Sequence, residues 1–297
     1  MCGTCGCGNE EHGISMLRPA EQREDHGHDH THEHEHGHHH HHGHHHHQGH
    51  HHHQGHHHHH HHHEQDHDHH THDHTHTPKK ILEIEQDILQ HNEVMAARNR
   101  GYFEAKNIIA LNLVSSPGSG KTALLERTLS DLKNEMPFYV IEGDQQTLND
   151  ANRIAAINVP VIQINTGKGC HLESDMIFDA AKKLKMQDNA VLMIENVGNL
   201  VCPSMFNLGE DKRVVIISTT EGVDKPIKYP DMFHSSDICI INKIDLLPYL
   251  QVDINALKNF ALQVNPNLKF FEVSATTGQG MEQWYNWLRD TVKMVST

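Results

Sequence analysis

The feature that most constrains the fold of this chain is an eight-residue run, Ser115-Ser116-Pro117-Gly118-Ser119-Gly120-Lys121-Thr122. It follows an apolar segment that predicts a strand and precedes a helical pattern, which is the setting of a P-loop. Glycines at 118 and 120 let backbone N–H groups close around phosphate oxygens, and the helix N-terminus adds a positive dipole. Ser115 stands where the motif usually has its first glycine. The run predicts a phosphate site on a strand-to-helix turn.

The positions of this run predict individual contacts. We expect Lys121 to reach the terminal phosphates of a nucleotide and the Thr122 hydroxyl to ligate Mg²⁺. The residues predicted to contact the nucleotide here are Gly118, Ser119, Gly120, Lys121, Thr122 and Ala123.

Short β-branched runs alternate with helical segments, as in a parallel sheet with crossover helices. The predicted strands cover residues 107–114, 138–142, 161–165, 190–194, 213–218, 238–241 and 269–273, and the helices 121–134, 148–157, 172–184, 254–264 and 281–292. Another helix is predicted over 79–105, with an apolar set that should pack on the domain: Ile81, Ile84, Ile88, Leu89, Val94 and Met95. The expected fold class is an α/β, three-layer P-loop domain with a mostly parallel sheet.

The front of the chain differs in composition. From His26 to His76 it contains only His, Gly, Asp, Glu, Gln and Thr, so it cannot bury a core that offsets its chain entropy. We therefore predict three regions: an N-terminal Cys motif over 1–8, a disordered linker with a His-rich tract over 9–77, and one folded domain with an N-terminal helix over 78–297.

Charge and hydropathy exclude some function classes. The formal net charge is −15 with His neutral, and the chain shows none of the basic patches expected of a nucleic-acid binder. We find no run of about 18 apolar residues, which would predict a membrane span, and no apolar leader, which would predict export. We expect a cytoplasmic protein with reduced thiols and neither nucleic-acid nor membrane partners.

A second motif, Asn242-Lys243-Ile244-Asp245, follows a predicted strand, where ligands bind in open α/β sheets. A carboxylate at Asp245 can accept hydrogen bonds from both the ring N–H and the exocyclic amine of guanine. Adenine offers no matching pair of donors. Together with Ser274-Ala275 after the last strand, this motif predicts guanine recognition and therefore GTP as the nucleotide.

Two acidic residues at predicted strand ends lie between these motifs. Asp144 is a candidate for Mg²⁺ or for positioning the attacking water, and Glu195 stands in Glu195-Asn196-Val197-Gly198, which resembles the Asp-x-x-Gly phosphate sensor of GTPases. If the Gly198 N–H contacts the γ-phosphate, the loop after it must rearrange on hydrolysis. The alternative is a pair of solvated loop carboxylates. Lys121 and Asp144 are the predicted catalytic residues.

Thiols and imidazoles predict metal binding in three places. Cys2, Cys5 and Cys7 can surround one ion, either in a planar site suited to Ni²⁺ or in a tetrahedral site suited to Zn²⁺; the alternative is a reactive terminus. Cys170-His171 and Cys202 each follow a predicted strand and can converge, so a metal bound there would sense movement of the Gly198 loop. Inert burial, expected for Cys239, is the alternative. The His tract predicts weak binding of many ions, or else a spacer or tag.

Together these features closely resemble the HypB family of hydrogenase-maturation nickel GTPases, over nearly the whole chain. The motifs that carry the resemblance are the terminal Cys motif, the His tract, 115–122, Cys170-His171, Cys202-Pro203 and Asn242–Asp245. The resemblance implies a SIMIBI-type GTPase that forms a GTP-promoted homodimer. It also implies a tight nickel site at Cys2, Cys5 and Cys7, and a nickel or zinc site near the dimer interface at Cys170, His171 and Cys202. The implied partners are a HypA-type nickel chaperone and the hydrogenase large subunit.

Three functional hypotheses follow. In the first, GTP hydrolysis by in-line attack of water switches the metal site and permits nickel transfer. In the second, the chain is a nickel store whose His tract supplies the function and whose G domain is regulatory. In the third, it is a urease-type nickel GTPase.

Overall fold

The computed structural model describes residues 15–19, 78–144 and 149–295, with side chains of the first helix described from residue 86. Within this part of the chain, eight strands form one sheet in the order β1-β4-β3-β5-β2-β6-β7-β8. The strands are β1 Ser15–Leu17, β2 Ile109–Ser115, β3 Phe138–Asp144, β4 Val161–Asn165, β5 Val191–Glu195, β6 Lys212–Ser218, β7 Ile238–Asn242 and β8 Lys269–Glu272. All neighbouring pairs are parallel except β1 with β4.

Helices cover both faces of the sheet. They are α1 Pro78–Glu104, α2 Lys121–Leu132, α3 Asn149–Ala156, α4 Ser174–Leu184, α5 Lys225–Lys228, α6 Pro230–His234, α7 Ile254–Val264 and α8 Met281–Val295, with 3-10 turns at Cys202–Met205 and Ile244–Tyr249. The seven predicted strands and all predicted helices are present. The short helices α5 and α6 were not predicted, because four and five residues are too few to show a helical period.

The central strand β2 is buried on both faces, as expected of a parallel sheet. Leu111 and Leu113 pack into a cluster with residues of α2, α3 and α8. Ala110 points to the other face, into a cluster that includes residues of α1 and α4, and Val114 packs there with residues of α6 and α7. The predicted three-layer α/β architecture is therefore confirmed.

Of the apolar positions predicted to pack α1 on the domain, Leu89 and Met95 are half-buried but two others are exposed. Ile88 and Val94 are 47% and 64% exposed. The buried positions of α1 instead recur at spacings of four, three and four residues: Asn92, Ala96, Asn99 and Phe103. Apolar periodicity missed this face because two of its members are asparagines.

The two asparagines bond to the start of α4 and to the segment before β6. Asn92 donates to the Asn207 carbonyl at 2.7 Å and accepts from the Ser174 N–H at 2.9 Å. Asn99 donates to the carbonyls of Ser174 and Leu208 at 2.8 and 2.9 Å. Hydrogen bonds therefore fix α1 on the domain where apolar contacts were expected.

Strand β1 lies in the region predicted to be a disordered linker, and for Ser15–Leu17 that prediction is wrong. Ser15 pairs with Asn165 and Leu17 with Gln163, antiparallel to β4. Three residues are too few to show an alternating pattern. The side chain of Met16 packs against the core cluster beneath β4, which favours the strand.

Among the described residues, no helix has both the length and the apolar character that a membrane crossing requires.

Candidate nucleotide and metal-binding site

The predicted site residues of the folded domain gather at one edge of the sheet. The phosphate loop follows β2, Asp144 ends β3, Cys170-His171 follows β4, Glu195 ends β5 and Asn242 ends β7. Because these strands are parallel, their carboxyl ends all meet at this edge, where open α/β sheets bind ligands.

The phosphate loop has the backbone conformation that its glycines permit. Gly118 and Gly120 adopt φ values of +79° and +90°, which disfavour residues with a β-carbon. A β-carbon at Gly120 would lie 2.5 Å from Nδ2 of Asn242. Helix α2 begins at Lys121, so the first N–H groups of that helix point toward the loop.

Glu195 contacts both of the functional side chains that follow the loop. Its Oε1 lies 2.7 Å from Nζ of Lys121 and accepts a hydrogen bond from the Thr122 hydroxyl at 2.6 Å. The Glu195 side chain is 1% exposed and that of Lys121 is 11% exposed, so the pair is well shielded from solvent. The longer Glu side chain, at the position of the usual Asp, therefore reaches the phosphate loop directly.

Two further carboxylates join this group and were not predicted. The Thr122 hydroxyl also lies 3.2 Å from Oδ2 of Asp150, in the first turn of α3. Glu142 is 2% exposed and is the register partner of Glu195 on the neighbouring strand. Burial, followed by the nearby charges of Glu195 and Asp144, raises the pKa of Glu142 to about 9.

These oxygen ligands fit Mg²⁺. The ion prefers oxygen ligands, and the loop edge offers the Thr122 hydroxyl together with the carboxylates of Glu195, Asp150 and Asp144. Within the described part of the chain, Oε2 of Glu195 and Oε2 of Glu142 are buried without a hydrogen-bond partner. A cation beside them would satisfy oxygens that burial otherwise makes costly.

The base-recognition motif is joined to the phosphate loop. Nδ2 of Asn242 donates to the Ser119 carbonyl at 3.0 Å, and its Oδ1 accepts from the N–H groups of Lys243 and Ala275 at 2.8 and 3.2 Å. Nζ of Lys243 donates to the Gly118 carbonyl at 2.6 Å. Asn242 thus ties together the three loops predicted to contact the nucleotide.

Asp245 and Ser274 complete this corner of the site. Asp245 lies in the following 3-10 turn, is half-buried, and has no described residue as a hydrogen-bond partner. Ser274 is fully buried and accepts a hydrogen bond from the Thr277 N–H at 3.1 Å. The Asp245 carboxylate therefore stays available for a ligand, while Ser274 shapes the loop that carries Ala275.

Cys170, His171 and Cys202 converge although the two thiols are 32 residues apart in sequence. One ligand atom from each lies within 4.8 Å of the other two, and both thiols are half-exposed. Two sulfurs and one imidazole nitrogen suit zinc or nickel and leave room for further ligands.

The imidazole of His171 is held on three sides. Its ring stacks on Phe206 with centroids 3.8 Å apart, and Nδ1 lies 3.7 Å from Sγ of Cys170. Nε2 lies 3.5 Å from Oε1 of Glu173. An ion bound at Nδ1 would leave Nε2–H facing a carboxylate, which is the usual support of a metal-binding histidine.

Six residues lie between Glu195, at the phosphate loop, and Cys202, at the metal cluster. The first of them, Asn196, is fully buried and its Oδ1 accepts from the N–H of Leu172 at 3.3 Å, directly after His171. Further along, Gly198 lies against the phosphate loop, where a β-carbon would sit 3.4 Å from Cγ of Pro117. One short segment therefore touches both predicted sites.

Comparison with known proteins identifies the family. A family model described as CobW/HypB/UreG, nucleotide-binding domain, matches residues 109–272. The hydrogenase maturation factor HypB of Escherichia coli (strain K12) is 55% identical over 210 residues, which are 71% of this chain and 72% of that protein. The chain belongs to the HypB family of hydrogenase maturation factors.

Solved HypB structures share the fold. The one from Archaeoglobus fulgidus is 38% identical, with a TM-score of 0.64 over 68% of this chain and 99% of its own. The one from Helicobacter pylori, solved in complex with nickel, is also 38% identical, with a TM-score of 0.64 over 69% of this chain and 96% of its own. The family and the fold class predicted from the sequence are both confirmed.

Two of the predicted metal-binding regions of this HypB-family chain, Cys2-Cys5-Cys7 and the His tract, lie outside the described residues. Cys239 is fully buried, as predicted, and burial raises the pKa of its thiol far above the usual value. It is therefore held as an unreactive thiol within β7.

Proposed function

We infer that this HypB-family chain is a GTP-hydrolysing nickel metallochaperone that inserts nickel during maturation of [NiFe]-hydrogenase. The observation that carries the proposal is the segment from Glu195 to Cys202, because one end bonds to Lys121 and Thr122 and the other end supplies a thiol to the metal cluster. Movement at one end must therefore alter the other.

The phosphate end supports hydrolysis by placing charge around the γ-phosphate. Lys121 would bind the terminal phosphate oxygens, and the N–H groups of Gly118–Ala123 would surround the remainder. Thr122, Glu195 and Asp144 would hold Mg²⁺, which neutralises charge on the phosphates when bound. Asp144, at the end of β3, is our candidate for orienting the water that attacks in line with the leaving oxygen.

The coupling step follows from the loop. With GTP bound, the Gly198 N–H would contact the γ-phosphate and hold the segment in one arrangement. When the phosphate leaves, the segment relaxes, and Asn196 carries the change to Leu172 beside His171. Cys202 moves with the same segment, so the ion is held less tightly and can be transferred.

Nickel is the cargo, and several parts of the proposal concern its handling. Cys2, Cys5 and Cys7 would form a tight nickel site, the His tract a store, and the cluster at Cys170 a site for Ni²⁺ or Zn²⁺. The nickel complex of the Helicobacter pylori relative supports this choice of metal. We propose a cytoplasmic homodimer promoted by GTP, which receives or delivers nickel with a HypA-type chaperone and the hydrogenase large subunit.

A second candidate is nickel delivery to urease. A relative from Helicobacter pylori (strain J99), 40% identical over 214 residues, is named a hydrogenase/urease maturation factor. Those residues are 71% of this chain and 88% of that protein. Complementation separates the two candidates, because a urease factor would rescue urease activity in a nickel-limited deletion strain and leave hydrogenase activity unrestored.

The proposal is tested by measuring nickel affinity with GDP and with a non-hydrolysable GTP analogue. Chains with Cys2, Cys5 and Cys7 replaced by alanine and residues 26–76 deleted isolate the interior cluster. We expect the nucleotide to change nickel affinity about 5- to 150-fold, the usual range of coupling between sites. Equal affinities in the two nucleotide states would refute the coupling.

Variants distinguish an enzyme from a store. A Lys121→Ala chain should fail to activate hydrogenase at limiting nickel, whereas deletion of residues 26–76 should reduce activation only when nickel is scarce. Full activation by Lys121→Ala would contradict the enzymatic role and leave storage as the function.

A further inference from the structure

The loop at the end of β6, residues 218–221 and here called the β6 loop, lies between the two loops that are predicted to hold the nucleotide. β6 pairs on one side with β2, which leads into the phosphate loop, and on the other side with β7, which leads into the base-recognition motif. Because the three strands are parallel, all three loops leave the sheet at the same edge. The sequence motifs include the two outer loops and not the β6 loop between them.

Thr219 contacts the base-recognition motif through both its backbone and its side chain. Its N–H donates to the carbonyl of Asn242 at 3.1 Å, and its hydroxyl donates to the carbonyl of Lys243 at 2.9 Å. Thr219 is 1% exposed. Its hydroxyl therefore has little access to water and depends on the Lys243 carbonyl as its partner.

The Lys243 carbonyl begins the turn that carries Asp245. It also accepts from the Leu246 N–H at 3.0 Å, within the 3-10 segment Ile244–Tyr249. Lys243 itself has a φ of +64°, in the left-handed region that residues with a β-carbon rarely adopt. The Thr219 hydroxyl therefore holds the peptide whose direction determines where the Asp245 carboxylate points.

Glu221 makes the corresponding contacts with the phosphate loop. Its Oε1 accepts from the Ser218 N–H at 2.9 Å, its Oε2 accepts from the Ser116 hydroxyl, and Nζ of Lys225 lies 3.0 Å from Oε2. Ser116 is the second residue of the phosphate loop, and its carbonyl accepts from the Ser119 N–H at 3.4 Å. The Glu221 side chain is 12% exposed. One shielded carboxylate thus joins the end of β6 to the start of the phosphate loop.

We propose that the β6 loop is a further part of the nucleotide site, in which Thr219 positions Asp245 for guanine and Glu221 positions the phosphate loop. The inference deepens the proposed function and rests on Asp245 accepting hydrogen bonds from the base. Both are positioning residues, because each acts through a group that would itself contact the nucleotide. The loop thereby sets the spacing between the base contacts and the phosphate contacts.

The two residues should affect different measurements. An inosine nucleotide keeps the ring N–H of guanine but lacks the exocyclic amine, so it can donate one hydrogen bond to Asp245 instead of two. A hydrogen bond to a charged group changes affinity about 10- to 150-fold, so the native chain should bind GDP more tightly than IDP by that factor. The GDP-to-IDP affinity ratio therefore reports the placement of Asp245, and the affinity for both nucleotides together reports the phosphate loop.

The role of Thr219 is tested by calorimetric titration of GDP and IDP into the full-length chain and its variants. Thr219→Val keeps the shape of the side chain without the hydroxyl and should lower the affinity ratio at least about threefold, because a misaligned hydrogen bond weakens steeply. Thr219→Ala also lacks the hydroxyl and should lower the ratio as far, so the test does not depend on one variant folding. Thr219→Ser keeps the hydroxyl and should retain the native ratio.

A matched control removes a hydroxyl elsewhere. The Thr291 hydroxyl donates to the Trp287 carbonyl at 2.7 Å in α8, so Thr291→Val should retain the native ratio. If Thr219→Val and Thr219→Ala leave the ratio unchanged, or if Thr291→Val lowers it equally, the role of Thr219 is overturned.

The role of Glu221 is tested with the same titrations. Glu221→Gln loses one acceptor oxygen and the charge paired with Lys225, so it should weaken GDP and IDP alike by about two- to tenfold and keep their ratio. The control Asp224→Asn removes an exposed carboxylate that lies 2.8 Å from Lys228, and it should change neither affinity. Native affinities in Glu221→Gln overturn the role of Glu221. A native chain that binds ADP as tightly as GDP would instead refute the guanine recognition on which the proposed function rests.

Discussion

Replacing Asn196 with alanine should separate nucleotide binding from nickel binding without removing a ligand of either site. Asn196 is fully buried and joins three groups: it accepts from the N–H of Leu172 at 3.3 Å and of Val197 at 2.9 Å, and it donates to Oδ1 of Asn112 at 3.3 Å. Alanine keeps the backbone and removes all three bonds. The link between the phosphate-sensing segment and the residue after His171 is then lost.

The size of the effect follows from the groups left behind. Each of the three buried polar groups that loses its partner costs about 1 to 3 kcal/mol, so Asn196→Ala should lower the free energy of unfolding by at least about 3 kcal/mol. In a domain of this size, that loss lowers Tm by at least about 6 °C. The ratio of nickel affinities between the GDP and GTP-analogue states should fall from the native value of 5-fold or more to below about 2-fold.

A matched control separates uncoupling from general instability. Asn99→Ala also removes a fully buried amide, one that donates to the carbonyls of Ser174 and Leu208 on the α1 side of the domain. It should cost similar stability and keep the native affinity ratio. Denaturant titrations measure the stability, and calorimetric nickel titrations on chains without the terminal thiols and residues 26–76 measure the affinity ratio. If Asn196→Ala retains the full ratio, or if Asn99→Ala loses it equally, the route through Asn196 is wrong.

Three other substitutions give independent checks. Asp245→Asn replaces the carboxylate that would accept two hydrogen bonds from guanine, so GTP should bind at least about 100-fold more weakly in calorimetry while ATP binding is unchanged. Gly120→Ala would place a β-carbon 2.5 Å from Nδ2 of Asn242, at a residue whose φ is +90°. The loop would have to change shape, so calorimetry should show GTP affinity at least about tenfold lower, and native affinity would contradict this. Burial raises the pKa of Glu142 from 4.5 to about 9 in the folded protein. Because the folded chain then binds a proton that the unfolded chain releases, the free energy of unfolding is unaffected below pH 4.5 and falls as the pH rises toward 9. Without Mg²⁺, Glu142→Gln should therefore be more stable than the native chain at pH 7 by up to about 3 kcal/mol, and denaturant titrations that show the same difference at pH 5 and pH 8 would contradict this.

The sequence predicted the positions of the site because strand direction places them. Once a strand precedes Ser115 and another precedes Asn242, the rule for parallel sheets puts both loops at one edge. The same rule brings Cys170 and Cys202 near each other, since each follows a strand of that sheet. Motif chemistry and sheet polarity together are enough to predict which loops meet.

Other contacts depend on packing that a sequence pattern does not show. Asp150 reaches the Thr122 hydroxyl from the first turn of α3, a contact that depends on how α3 packs, and in the sequence Asp150 is indistinguishable from any solvated helix acid. Glu142, on β3, is buried between its register partners, Gln163 on β4 and Glu195 on β5. This pairing needs the strand order β4-β3-β5. Strand order is a property of the whole sheet, and no single segment predicts it.

A second series of buried contacts joins Asn196 to the metal cluster, besides its hydrogen bond from the N–H of Leu172. We therefore expect Asn196→Ala to affect nickel affinity more than the loss of that one bond would. Oδ1 of Asn112 accepts from Asn196, and Nδ2 of Asn112 donates to Oε1 of Glu210 at 3.0 Å. Glu210 forms a buried ion pair with Arg213 at 2.9 Å, and Arg213 donates to the carbonyl of Phe206 at 2.8 Å. Phe206 is the residue on which the imidazole of the cluster stacks. We therefore predict that a shift of Asn196 would act on the cluster from two directions, because a buried ion pair has no solvent into which its geometry could relax.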